Sequence, residues 1–182
     1  MWETEIRQYA QSKGFHPQTL ERWLDWDPAA RHALFRLAVD LKVGENHLRD
    51  LMDWLEEIAL REQSMIEEIL ASKPIVDLAS DPRLGRADKL KQIKEEIRRR
   101  RFPRLAQTED AIRARIHELK LHPEIRLTVP LGLEGGKLQV ELSASSHDEF
   151  KRLIAKLAEA ATDKRVREIF ALLAGHTVEV RS

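Results

Sequence analysis

Three groupings place a histidine next to a carboxylate in the chain: His47 near Asp50, His117 with Glu118, and His147 with Asp148 and Glu149. Such a pair is the minimum for general acid–base chemistry, because a carboxylate can orient an imidazole that gives and takes a proton near neutral pH. None of the three has the histidine spacing of a helical zinc site, and His147 falls at the start of a capped helix, where small polar residues belong. Cysteine is absent. That removes thiol nucleophiles, disulfides and cysteine-based zinc sites together. No P-loop pattern or dinucleotide glycine fingerprint occurs, and Gly132, Gly135 and Gly136 sit where a hairpin turn is expected. The expectation is a protein that is not an enzyme, with no catalytic residue, metal or cofactor.

The chemistry the residues do offer is phosphate binding. From Arg83 to Arg104 ten Lys/Arg face three Asp/Glu, and residues 98–104 hold five arginines in seven positions. Lys91, Lys94, Arg98 and Arg101 recur at three- and four-residue steps, one lateral stripe on a helix. Arg99 and Arg104 extend the charge, and arginine suits bidentate phosphate contacts. An acidic stretch opposes this block: Asp40 to Leu70 carries nine Asp/Glu against three Lys/Arg, in a chain of formal net charge zero. The stripe therefore tracks a polyanion, forms a solvated face, or docks on the acidic helix.

A second candidate is a helix-turn-helix. With the frame begun at Leu34, Ala38 takes the small position, Leu41 and Val43 flank the turn, and Leu48 and Leu51 pack back on the first helix. Lys42 stands where glycine is usual. Glu45, Asn46, Arg49, Asp50 and Asp53 would face a major groove, with Asn46 and Arg49 the residues able to read bases; the acidic members would repel phosphates. Two helices packed in a bundle is the competing reading.

The elements that must position these residues are legible from periodicity. Gly14 ends a first helix, Asp27-Pro28 opens another, and Leu48, Leu51, Met52, Leu55 and Ile58 mark a long helix after Gly44. Ser64 and Glu67 read as a capping box for a short helix. Residues 74–87, with two prolines and Gly85, read as a connector. A basic helix over roughly 88–101 is broken at Phe102-Pro103, with helix resuming near Gln107. Period two at Ile125, Leu127, Val129 and at Leu138, Val140, Leu142 predicts two antiparallel strands around a glycine-rich loop. Ser146 with Glu149 is a second capping box, and the tail from His176 alternates as a third strand would.

The predicted fold is α+β and mainly helical: an N-terminal bundle with a helix-turn-helix-like pair, then a long basic helix pair and a small antiparallel sheet covered by helices. The expected domains are 1–73, helical, a connector over 74–87, and 88–182, α+β. The 42% hydrophobic content supports a real core, while 34% charged residues suits amphipathic helices. No apolar run is long enough to span a membrane, and the polar, acidic N-terminus is unlike a secretory signal; no membrane association and a cytoplasmic location are expected. The four tryptophans, Trp2, Trp23, Trp26 and Trp54, fall in the helical half, and three of them sit at helical core spacings that read as packing rather than base-stacking platforms.

Residues 89–173 resemble the C-terminal region of some ParB-type chromosome-partitioning proteins. The resemblance rests on Lys89-Leu90-Lys91, the corner Arg100-Arg101-Phe102-Pro103-Arg104-Leu105, the Glu134-Gly135-Gly136 hairpin and the capped helix from Ser146. Residues 33–71 likewise resemble the helical region after the nucleotide-binding part of such proteins. That arginine-rich nucleotide-binding domain has no counterpart here, so neither CTP hydrolysis nor clamp sliding is implied. What the resemblance implies is a helical middle of DNA-binding type and a C-terminal module that dimerises or contacts DNA non-specifically. The expected function is thus non-catalytic DNA binding by a homodimer. The alternative is an interaction or assembly module that self-associates through its small sheet.

Overall fold

The computed structural model describes residues 2–176. These are mainly helical with a small two-stranded antiparallel sheet, the α+β class expected. They fall into two compact units, Met1–Phe102 and Pro103–Ser182.

The N-terminal unit holds seven helices among the described residues: α1 Trp2–Ser12, α2 Pro17–Leu24, α3 Pro28–Leu41, α4 Glu45–Glu62, α5 Ile66–Leu70, α6 Lys73–Ser80 and α7 Arg86–Arg101. Local chemistry sets their ends. The Asp27 carboxylate accepts from the Ala29 and Ala30 N–H groups at 2.8 and 3.2 Å, and Pro28 begins α3, where its missing N–H has no partner to lose. Gly14, at φ +67°, lets the chain turn out of α1. The turn between α3 and α4 places Lys42 at φ 53°, ψ 44°, the left-handed conformation that usually calls for glycine. Tyr9 secures that turn: its hydroxyl lies 2.8 Å from both the Ala38 and Val43 carbonyl oxygens and shares its one proton between them.

Trp23, Leu34, Ala38, Leu48, Leu51, Met52, Leu55, Ile58 and Ile69 form the centre of this unit, all fully buried. Ile93 and Ile97 of α7 are buried in the same cluster. The basic helix therefore belongs to the N-terminal unit, and the boundary falls at Phe102–Pro103 rather than in a connector over 74–87. Most of that segment is itself helix: Pro74 sits in the first turn of α6, and Ile75 joins the core at 3% exposure. The expected Ser64/Glu67 capping box is displaced by one residue. Gln63 ends α4 in a left-handed turn, Met65 becomes the N-cap of α5, and its N–H donates to Glu68 at 3.1 Å.

The C-terminal unit comprises α8 Pro103–Glu118, β1 Ile125–Thr128, a 3₁₀ segment Leu131–Gly136, β2 Gln139–Leu142, α9 His147–Ala161 and α10 Lys164–Leu173. Helix starts directly at Pro103 rather than near Gln107, because proline is tolerated at a first helical position. Ile125 pairs with Leu142 and Leu127 with Val140, which puts the four side chains on one sheet face. Ile125 and Leu127 pack with Leu121 and with Leu153 of α9, while Ile112, Ile169 and Leu172 form a second small cluster. Buried Glu109 accepts the Gly132 N–H at 3.1 Å and so ties the loop to α8. Ser146 caps α9 as expected, but Glu149 accepts from the Ser145 N–H and hydroxyl instead of from Ser146. The expected third strand lies largely in residues 177–182, outside the described residues.

Candidate nucleic-acid interface

The α7 stripe faces α4. Lys94 donates to Asp50 at 2.6 Å and lies 5.1 Å from the centre of the Trp54 ring. Arg101 makes a two-pronged pair with Glu57 at 2.5 and 2.7 Å, and Arg100 pairs with Glu62 at 2.6 Å, holding that carboxyl below its ordinary range. Arg98 pairs with Glu95 on its own helix and keeps 12% side-chain exposure. Arg61 adds two bonds at 2.6 Å to the carbonyls of Arg100 and Arg101, where the helix end leaves them without helical partners. Of the predicted stripe, Lys91 is exposed and Arg99 half-buried.

The other side of α4 docks on α2. Arg22 pairs with Asp53 and Glu56, each at 2.7 Å, and Glu56 also accepts from Trp26 Nε1 at 2.7 Å. Glu45 accepts from the Thr19 hydroxyl and the His16 N–H, which lower its pKa. Every carboxylate of α4 thus has a donor. The charge asymmetry of the sequence is in large part an internal seam, with α4 held between α2 and α7. Asn46 and Arg49 do lie together, exposed, at the start of α4, and Arg49 lines a polar concavity of about 490 Å³ with His16, Gln18 and Arg22.

In the C-terminal unit Arg104 is exposed on the first turn of α8, at the opposite end of that helix from a basic cleft. Arg113, His117 and Lys120, spaced i, i+4, i+7 along and just past α8, join His122 and Arg126 around a concavity of about 470 Å³. Its other lining residues are Ile116, Leu121, Ile125 and Leu127, and no carboxylate lines it. The basic side chains are all exposed above a buried aliphatic floor. Arg113 reaches Asp110 at 2.9 Å and Arg126 approaches Glu141 at 3.9 Å, both largely in solvent. The side chains of His117, Lys120 and His122 have no hydrogen bond or ion pair among the described residues. This cleft was not foreseen from the sequence. Its signal, 113/117/120, has the same helical spacing as the α7 stripe, but it is diluted by Asp110 and Glu118.

An apolar face lies beside the cleft. Phe150, Ile154, Leu157 and Ala161 follow one side of α9, and the last two line a groove with Val140, Val166 and Phe170. Val140, Phe150, Ile154 and Phe170 are 42–50% exposed, high for large apolar side chains gathered on one small unit. Leu121 and Leu127 form a common wall of the groove and the basic cleft.

Among the described residues no three His, Asp or Glu gather as a metal site, and no helix is long and apolar enough to cross a membrane. No known family, curated protein or solved structure matches the chain.

Proposed function

We propose that the protein binds nucleic acid without catalysis, and that its phosphate contacts come from the C-terminal unit. The observation that carries this is the α8–β1 cleft: five basic side chains around one concavity with no carboxylate in its lining. Arg113, Lys120 and Arg126 are cationic side chains that line one concavity, the arrangement that phosphates of a nucleic-acid backbone would use. The aliphatic floor repels water without competing for the phosphates. The α7 stripe is the weaker candidate, since Lys94, Arg98, Arg100 and Arg101 each already hold a carboxylate. The resemblance to ParB-type C-terminal regions implies the same kind of non-specific contact.

Anisotropy titrations of a labelled 20-base-pair duplex at low and physiological salt test this. Binding should weaken steeply with salt, and Lys120→Ala with Arg126→Ala should flatten the log–log slope by about one per lost contact. Arg98→Ala with Arg101→Ala should leave the slope unchanged. No binding at low salt would end the proposal.

The apolar face favours a second, compatible reading: self-association of the C-terminal unit. Across a two-fold axis the α9 stripe of one copy would lie antiparallel on that of another. The acidic first turn of α9, with Asp148, would then approach the basic start of α10, with Lys164 and Arg167. Sedimentation equilibrium should return about twice the 21.1 kDa chain mass, and Phe170→Asp should return one.

A further inference from the structure

We propose that the groove between α3, α5 and α6 is a docking site for an amphipathic helix of a partner protein, one that carries a lysine or arginine beside small apolar anchors. The groove encloses about 390 Å³, within the range of ligand-sized clefts (~300–1,000 Å³). Ala33, Arg36, Leu37 and Asp40 form its α3 wall at steps of three, one and three residues, a single helix face. Leu37, Leu70 and Ile75 make a floor continuous with the core, and Val76 stands 47% exposed at the edge. Ala33, Ala71 and Ala79 keep the walls low, so another backbone can approach closely.

Two features say what the occupant is. All three walls are helices, which offer no strand edge with unpaired N–H and C=O groups. An extended peptide laid there would find no main-chain partners, whereas a helix arrives with its own backbone already bonded. The second feature is charge. The one-residue shift of the α5 cap hands the capping role to Glu68 and leaves Glu67 in the groove, with its Oε2 buried and without a hydrogen-bond partner. A buried carboxylate oxygen without a donor is costly, and a partner cation lying against the groove-lining part of Glu67 would offset its charge. Asp40 on the facing wall has no ion pair among the described residues and adds a second negative charge, while Arg36 one turn away selects the orientation of an acidic residue on the incoming helix.

A displayed library of amphipathic helices, randomised on one face and selected against the full chain, tests this. Selected sequences should converge on small apolar residues at i, i+3 or i+4, and i+7 with an adjacent Lys or Arg. A synthetic peptide of that consensus should bind at least about tenfold more weakly to Val76→Asp. Its preference for Lys over Gln should weaken in Glu67→Gln, which removes one of the two groove charges but keeps the shape, and should disappear when Asp40→Asn is added. Failure to enrich, convergence on acidic anchors, or binding unaffected by Val76→Asp would overturn the proposal. So would a Val76→Asp change in the sedimentation mass of the protein alone, since the groove would then be covered by a second copy.

Discussion

Lys94 donates to Asp50 across 2.6 Å while its ammonium lies 3.1 Å from His47 Nδ1 and 5.1 Å from the Trp54 ring centre, so one cation of the basic helix is held at three points on the acidic helix. The Lys94 side chain is 16% exposed and Asp50 48%. The pair is therefore only partly screened by solvent, unlike an ion pair on an open surface. Lys94→Met should cost the N-terminal unit ~1 kcal/mol, and a double-mutant cycle with Asp50→Asn should show a coupling of ~0.5–1 kcal/mol that shrinks in high salt. Urea unfolding followed by fluorescence measures both, and a zero coupling at low salt would reduce the seam to coincidental proximity.

Ile97 distinguishes the observed unit boundary from one placed before the basic helix. It is fully buried among residues from other helices of the N-terminal unit. Ile97→Ala should cost ~2–5 kcal/mol. All four tryptophans lie in that unit, so fluorescence reports it alone, whereas circular dichroism sees both. The fluorescence transition should move to lower denaturant. A shift confined to the part of the circular dichroism signal that fluorescence does not follow would place α7 elsewhere.

Gly136 ends the hairpin loop at φ +58°, and a Cβ there would meet the Leu173 carbonyl oxygen at 3.4 Å. Gly136→Ala thus forces a side chain into the left-handed region, in van der Waals contact with the Leu173 backbone. The cost should be ~1–2 kcal/mol for the C-terminal unit, with little change in the tryptophan signal. A neutral or stabilising result would mean that the loop does not hold this conformation.

Asp163 caps α10, and the Arg165 guanidinium followed by the Arg165 backbone N–H hold its pKa at about 2, below the ordinary 3.8. A carboxylate depressed in the folded state adds stability that is present above its unfolded pKa and is lost as pH falls toward the folded one. The window is therefore about pH 4 down to 2. Asp163→Asn, which retains a capping oxygen, should flatten this part of the acid limb of thermal stability. An unchanged slope between pH 4 and pH 2 would remove Asp163 from the set of groups that drive acid unfolding.

Much of the architecture was written in local chemistry. Asp27-Pro28, Gly14 and Ser146 act on the N–H and carbonyl groups of their own turn, so they mark helix ends whatever the rest of the chain does. The change from helical spacing to alternation at Ile125 and back at Ser146 reflects which side chains share a face, again a short-range property. Ser64 and Glu67 misled by one residue because the left-handed turn at Gln63, which no nearby glycine announces, moved the cap to Met65.

By itself, then, the sequence determined most of the helices, though not α6, together with the hairpin and the existence of two opposed charge blocks. Only the tertiary structure decided what those blocks do, because Lys94 and Asp50 are 44 residues apart and meet only if α7 packs on α4. Ile93 and Ile97 make that packing: burying them fixes the rotation of α7 and turns its arginines toward carboxylates. The basic cleft arises by the same logic. Arg113, His117 and Lys120 are scattered among acidic neighbours in the chain, but α8 puts the first two on one face, the left-handed turn at Lys120 brings that lysine to the same cleft, and β1 brings Arg126 alongside. Charge along a chain is additive, whereas charge on a surface depends on which faces burial leaves outside.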